Sequence, residues 1–286
     1  MRFQDLSEAL KLQHTVFALP FAYLGCWVAQ GGFPGWGVLL WVTLAMVGAR
    51  TAGMAWNRLL DLPFDRRNPR TSHWPVSQGK VTPQQLVALA ILFTGLLFVS
   101  AWKLNPLCLA LSPIALVGLA LYPTLKRFTW GCHWGIGLVL SMAPAGGWLA
   151  VTGAWNPVVL WVSGAVLFWV AGFDILYATL DLDFDRANRL YSVPQRFGVV
   201  TALRVARGCH LATVFFLGAF GLATDRTFLY WLGWLGIAIL LHVEHRLVKP
   251  TDLRQVNTAF LTVNGWVSVG LLTMTILDCT FPWPHP

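Results

Sequence analysis

The segment Pro157-Val-Val-Leu-Trp161-Val-Ser-Gly-Ala-Val-Leu-Phe-Trp169-Val-Ala-Gly-Phe173-Asp174-Ile-Leu-Tyr177-Ala-Thr-Leu-Asp181-Leu-Asp183-Phe-Asp185 decides what kind of protein this is. No charge interrupts residues 157–173, and four aspartates then fall within residues 174–185. An α-helix rises ~1.5 Å per residue, so about 20 apolar residues carry it across the hydrocarbon of a bilayer. The segment therefore predicts a membrane-spanning helix whose polar end emerges at one interface. Comparable apolar runs occupy residues 15–30, 36–56, 84–102, 105–122, 132–151, 199–222, 228–245 and 256–277, making nine with 157–178.

Of the 286 residues, 56% are hydrophobic and 11% charged, and the mean hydropathy is +0.61. A soluble domain carries about 25% charged residues, so a soluble enzyme, a disordered chain and a disulfide scaffold are excluded. Ten-residue strands of alternating polarity are missing, which excludes an outer-membrane barrel. The sequence predicts an all-α integral membrane protein of nine spans, forming one polytopic domain over residues 1–286. Asp5 and Glu8 break the basic region that a cleavable signal needs, so the first run reads as a span and not as a signal peptide. Cys26, Cys108, Cys132, Cys209 and Cys279 stand singly and read as small apolar residues.

The formal charge of +8 suggests a polyanionic partner until the basic residues are placed on the spans. With the N-terminus inside, one side holds Arg2, Lys11, Arg58, Arg66, Arg67, Arg70, Lys80, Lys126, Arg127, Arg186, Arg189, Arg196, Arg204, Arg207, Arg246, Lys249 and Arg254. The other side holds Lys103 and Arg226, and Arg50 lies inside a span. Basic residues gather on the cytoplasmic side. The split therefore predicts a multi-pass protein of the inner cell membrane with a cytoplasmic N-terminus, and it removes the need for a nucleic-acid partner.

Six of the twelve acids fall in two segments at cytoplasmic ends of spans, residues 57–65 and 174–185. The first reads Asn57-x-x-x-Asp61-x-x-x-Asp65 and the second Asp174-x-x-Tyr177-x-x-x-Asp181-x-x-x-Asp185. Residues four apart share a helix face, so each segment presents a polar stripe whose carboxylates repel unless a cation lies between them. Pro63 predicts an end or kink just after Asp61. Carboxylate and amide oxygens suit Mg²⁺, which also takes substrate phosphates. Arg66, Arg67, Arg70, Lys80, Lys126 and Arg127 nearby suit phosphate as well. The bland alternative, ordinary loop charges beside helix-end acids, explains one stripe more easily than two on one face. Arg50 stands two helical turns before Asn57, where an ionisable residue within a span points to function. It suits the carboxylate of an anionic substrate, or else it snorkels or pairs structurally. His133, His210 and His242 have no spacing partner and read as packed or interfacial; His14, His73 and His245 receive no role.

These motifs, with Pro69-Arg70-Thr71, Tyr122-Pro-Thr-Leu-Lys126-Arg127, Ser192-x-Pro194 and Arg196-Phe-Gly198, resemble the UbiA superfamily of intramembrane aromatic prenyltransferases over nearly the whole chain. The opening Lys11-Leu-Gln-His-Thr-Val-Phe-Ala-Leu-Pro20-Phe is similar to the quinone-biosynthesis branch, whose enzymes prenylate a hydroxybenzoate or a dihydroxynaphthoate. The resemblance implies nine helices around a central cavity with a cytoplasmic cap, and Mg²⁺-dependent transfer of a polyprenyl group from its diphosphate to an aromatic acid. By position it implies that Asn57, Asp61, Asp65, Asp181 and Asp185 bind the metal. Arg70 and Lys126 would hold the diphosphate with Tyr122 and Tyr177 near it, Arg50 would meet the acceptor carboxylate, and Asp174 would orient the acceptor or its surroundings. Two positions depart from the family: Trp74 stands where the loop commonly has Arg, and Tyr191 where a basic residue often precedes Ser-x-Pro. Arg67 and Arg189 are candidate substitutes. The rival readings are an enzyme of the same family with another acceptor, and a cation-coupled transporter. A carrier would place its acids near the midplane on broken helices, whereas these lie at one interface.

Overall fold

The computed structural model describes residues 3–10, 15–249, 253, 255–256 and 262–281. Their helices are α1 (Phe3–Leu10), α2 (Thr15–Gln30), α3 (Trp36–Asp65), α4 (Pro83–Leu104), α5 (Pro106–Leu121), α6 (Cys132–Thr152), α7 (Val159–Ala178), α8 (Leu182–Ala187), α9 (Val193–Ala223), α10 (Phe228–Leu247) and α11 (Asn264–Thr280). Short 3-10 helices, Tyr122–Arg127 and Thr179–Asp181, follow α5 and α7.

Local chemistry sets the boundaries. Thr82 and Gln85 form a reciprocal capping box ahead of α4, with Pro83 in its first turn. Asn105 caps α5 and Ser192 caps α9, each ahead of a proline in the first turn. α9 bends at Gly198, whose φ of 78° and ψ of 164° lie where a residue with a Cβ is strained.

Among the described residues seven helices are long and apolar enough to cross a membrane: α3, α4, α5 with its 3-10 extension, α6, α7 continued through α8, α9 and α10. The expected spans at 15–30 and 256–277 coincide with α2, of 16 residues, and α11, of 17, part of the latter run lying outside the described residues. Large apolar side chains point outward, among them Ile91, Leu92, Ile114, Leu211, Phe215 and Ile239. Helices that are apolar on both faces and exposed on one are built for lipid.

Inside, α7 lies between α6 and α9, α2 packs on α6, and α11 joins α10 back to α2. Trp169 of α7 centres the core with Phe21, Leu24, Val166, Val170, Leu217, Phe220 and Leu271 around it. Lipid supplies little hydrophobic drive between helices, so close backbone approach matters. A Cβ on Gly147 would strike the Ala22 carbonyl, and one on Gly137 the Leu167 carbonyl.

Two expectations change. α3 runs through Pro63 to Asp65 instead of ending after Asp61, because the proline falls in the last turn and only one turn's bonding is affected. The 174–185 segment is not one continuous α-helix: α7 stops at Ala178, a 3-10 turn carries Asp181, and α8 carries Asp185.

Candidate active site

One cavity of about 300 Å³ collects the polar residues of both motifs. Arg50, Asn57, Asp61 and Asp65 reach it from α3. Their spacings of 7, 4 and 4 keep one helix face turned inward. Tyr122 and Lys126 enter from the first 3-10 turn, Asp174 and Tyr177 from the last turns of α7, and Arg70 from the loop joining α3 to α4. Asp181 and Asp185 still line it despite the helix break. All eleven residues singled out as a site therefore border one space.

The repulsion between stripe carboxylates is relieved by basic side chains. Asp61 meets Arg127 at 3.5 Å, Asp65 meets Arg58 at 3.2 Å, and Asp185 meets Lys126 at 3.5 Å. Asp181 takes a two-pronged bond from Arg70, Nε to Oδ1 at 2.8 Å and Nη2 to Oδ2 at 2.6 Å. Burial opposes the charge on Arg70, but this bond and the Asp181 charge outweigh it and raise the guanidinium above its ordinary pKa. Arg70 Nη1 also donates to the Tyr177 hydroxyl at 3.1 Å. Neutral donors complete the set: Asn57 to Asp61, Asn68 to Asp181, and Ser192 to Asp185.

Several cavity residues were not selected from the sequence. Arg58, counted as a loop charge, is buried on α3, donates to the Ala9 carbonyl at 3.0 Å, and stacks 4.1 Å from the Trp74 ring. Its spacing of eight from Arg50 and seven before Asp65 was the available signal. Trp74 thus supplies a ring face to a guanidinium where the family commonly has Arg. Arg67 and Arg189 do not substitute: both are exposed, neither lines the cavity, and Arg67 donates to the Pro63 carbonyl just past the inward-facing turns of α3. Tyr191 lines the cavity and donates its backbone N–H to the Lys126 carbonyl at 2.7 Å. His133, read as packed or interfacial, is buried at the cavity wall with Nδ1 2.7 Å from Asp174 Oδ2. His210 and His242 lie outside that wall.

Charge balance indicates what the cavity accepts. Five aspartates (61, 65, 174, 181, 185) face five cationic side chains (Arg50, Arg58, Arg70, Lys126, Arg127), four of the latter lining the cavity and Arg127 held against Asp61. A diphosphate entering so nearly neutral a site brings negative charge that these side chains do not offset alone. Hard oxygen donors suited to Mg²⁺ are present, and Asp185 Oδ1 is buried without a hydrogen bond. Among the described residues no three His, Cys, Asp or Glu side chains already converge on one point, so each acid that took a metal would first have to loosen its own cation. The donor chemistry fits.

A second cavity of about 410 Å³ adjoins the first and shares Ala18, Arg50, Met54, Tyr122 and Leu140 with it. Its remaining wall is almost wholly apolar, including Met46, Leu97, Leu111, Leu119, Val139 and Leu160. Arg50 marks the border between the polar and apolar spaces, with its Nε buried and unbonded.

A sequence profile described as the UbiA prenyltransferase family matches residues 18–268. A 4-hydroxybenzoate octaprenyltransferase of Paraburkholderia phytofirmans is 31% identical over 254 residues, covering 86% of this chain and 85% of that protein. One from Methylobacillus flagellatus is 32% identical over 256 residues, covering 86% and 83%. Among solved structures, a UbiA homolog from Aeropyrum pernix superposes with a TM-score of 0.85 at 33% identity, covering 93% of this chain and 98% of that one. A homolog from Archaeoglobus fulgidus, solved bound to DMAPP and Mg²⁺, shares the fold at a TM-score of 0.73 and 18% identity, covering 97% and 99%. With its matched profile, its relatives and its paired carboxylate motifs, the chain belongs to the UbiA prenyltransferase family and is a membrane prenyltransferase, not a carrier.

Proposed function

We propose that this protein transfers a polyprenyl group from its diphosphate to a hydroxylated aromatic acid, of the 4-hydroxybenzoate or dihydroxynaphthoate type, in quinone biosynthesis. The observation that carries this reading is the position of Arg50, whose unbonded buried Nε borders both the carboxylate-lined cavity and the apolar one. An acceptor carboxylate on Arg50 would hold an aromatic ring where the two spaces meet. The apolar cavity would take prenyl chain, and the polar one the diphosphate.

Asn57, Asp61, Asp65, Asp181 and Asp185 are the proposed Mg²⁺ ligands. Mg²⁺, when bound, would neutralise charge on the departing diphosphate. Arg70 and Lys126 bind its oxygens, with Arg58 held ready by Trp74. Tyr122 and Tyr177 flank the reacting end, and Asp174 faces the acceptor. Water is excluded on the apolar side, where an allylic cation would otherwise be quenched. The same reading places nine spans in one domain over residues 1–286, with α2 and α11 completing the seven long helices. The N-terminus and the loops over the cavity then face the cytoplasm, by the distribution of Lys and Arg.

The reading is tested with purified protein in lipid, Mg²⁺, a polyprenyl diphosphate and a panel of aromatic acids, with products identified by mass spectrometry. The expected product is the acid plus one prenyl chain. Turnover confined to acceptors without a carboxylate would overturn the assignment.

A further inference from the structure

Five aspartates line the cavity, and Asp174 is held differently from the other four. Asp61, Asp65, Asp181 and Asp185 are each paired with Arg or Lys, whereas Asp174 is paired with His133. A carboxylate clamped on a guanidinium or ammonium is a poor base, because the cation favours its charged form. A hydrogen bond from a neutral donor weakens a carboxylate base less than a full cation does.

The tautomer of His133 follows from its second bond. Val193 opens α9, so its backbone N–H has no carbonyl partner within the helix. It donates instead to His133 Nε2, at 3.2 Å. A nitrogen that receives an N–H carries a lone pair, so the imidazole proton sits on Nδ1 and is donated to Asp174 Oδ2. The ring is 2% exposed and fixed at both nitrogens. Asp174 lines the cavity and keeps a side chain 30% exposed. Arg50, Tyr122 and Asp174 line the same cavity, so a ring anchored on Arg50 shares its space with this carboxylate.

We propose that Asp174 accepts the proton lost from the attacked ring carbon, and that His133 is the positioning residue that holds its carboxylate in place. The inference rests on the acceptor reading given above. In the step it describes, the C–O bond to the diphosphate breaks, its electron pair leaving with the diphosphate, and the ring carbon then bonds to the allylic carbon. The hydrogen on the attacked carbon then passes to Asp174 as a proton, its bonding pair restores the aromatic ring, and Asp174 later returns the proton to solvent. No oxidant or reductant is consumed.

The test uses full-length protein in lipid with Mg²⁺, a polyprenyl diphosphate, and 4-hydroxybenzoate or dihydroxynaphthoate deuterated at the attacked position. In the wild type, ring proton loss is fast and the isotope effect stays near unity. Asp174→Asn should lower kcat on the order of 10²-fold, in line with general-base contributions. It should leave the prenyl-diphosphate KM within about threefold and bring out a primary isotope effect, because proton loss becomes limiting. His133→Gln retains an amide donor for Asp174 and an acceptor for Val193, so it should keep kcat within about fivefold, whereas His133→Ala should lose well over tenfold and show the isotope effect. A wild type that prenylates neither acid would overturn the acceptor reading and this proposal together. An active wild type with no isotope effect in Asp174→Asn, or His133→Gln as impaired as His133→Ala, would overturn this proposal alone.

Discussion

Replacing Arg50 with alanine should separate the two substrates in the kinetics. Among the described residues Arg50 has no ion pair, and its Nε is buried without a hydrogen bond. An acceptor carboxylate would supply two charge-assisted bonds, each worth about 1.5–3 kcal/mol. If about 3 kcal/mol survives for the pair, its loss raises the acceptor KM on the order of 10²-fold, at ~1.36 kcal/mol per decade. Arg50→Lys keeps the charge but loses the fork, so about half of that free energy returns and KM stays roughly tenfold high. The prenyl-diphosphate KM should move less than about threefold in both variants. Thermal stability should hold or rise, because an unpaired charge within a span is unfavourable by at least ~2.5–3.5 kcal/mol. Arg58→Ala is the internal control: it breaks a buried pair with Asp65 and a bond to Ala9, so it should lower Tm. Steady-state kinetics with each substrate varied in turn, beside a melting curve in lipid, decides the matter. Equal loss of affinity for both substrates, or a fall in Tm matching that of Arg58→Ala, would refute the reasoning and make Arg50 structural.

Three further outcomes follow from the same geometry. Asp61→Ala and Asp181→Ala should each abolish turnover without unfolding the protein, and excess chelator should do the same to the wild type; full activity in chelator would falsify the metal role. Trp74→Ala removes the ring 4.1 Å from Arg58, so the prenyl-diphosphate KM should rise about 2- to 30-fold, a cation–π contribution of ~0.5–2 kcal/mol, with the acceptor KM little changed. Cysteines placed at His73 and Asn188 should resist an impermeant reagent added outside intact cells; ready labelling there would invert the orientation.

The sequence determined the class of the protein and most of its candidate site. Apolar run length is a local property, so helices over 84–102, 132–151 or 228–245 were legible without neighbours. Arg50, Asn57, Asp61 and Asp65 were legible because motif spacing and helix periodicity coincide on α3, and Asp181 and Asp185 by the same spacing of four. Arg70, Tyr122, Lys126, Asp174 and Tyr177 instead took their roles from the resemblance to the family. Only the folded chain decided how the acids are neutralised, since Arg70 reaches Asp181 across 111 residues of sequence and Arg127 reaches Asp61 across 66. His133 was unreadable for the same reason: its partners, Asp174 and Val193, lie 41 and 60 residues away and share no period with it. Trp74 likewise looked like a lost cation until packing laid its ring against Arg58, a residue that linear spacing had left among the loop charges. Local rules register where side chains point along one helix; pairing between helices depends on which faces meet, and that is set by contacts such as Gly147 against Ala22 that no single segment encodes.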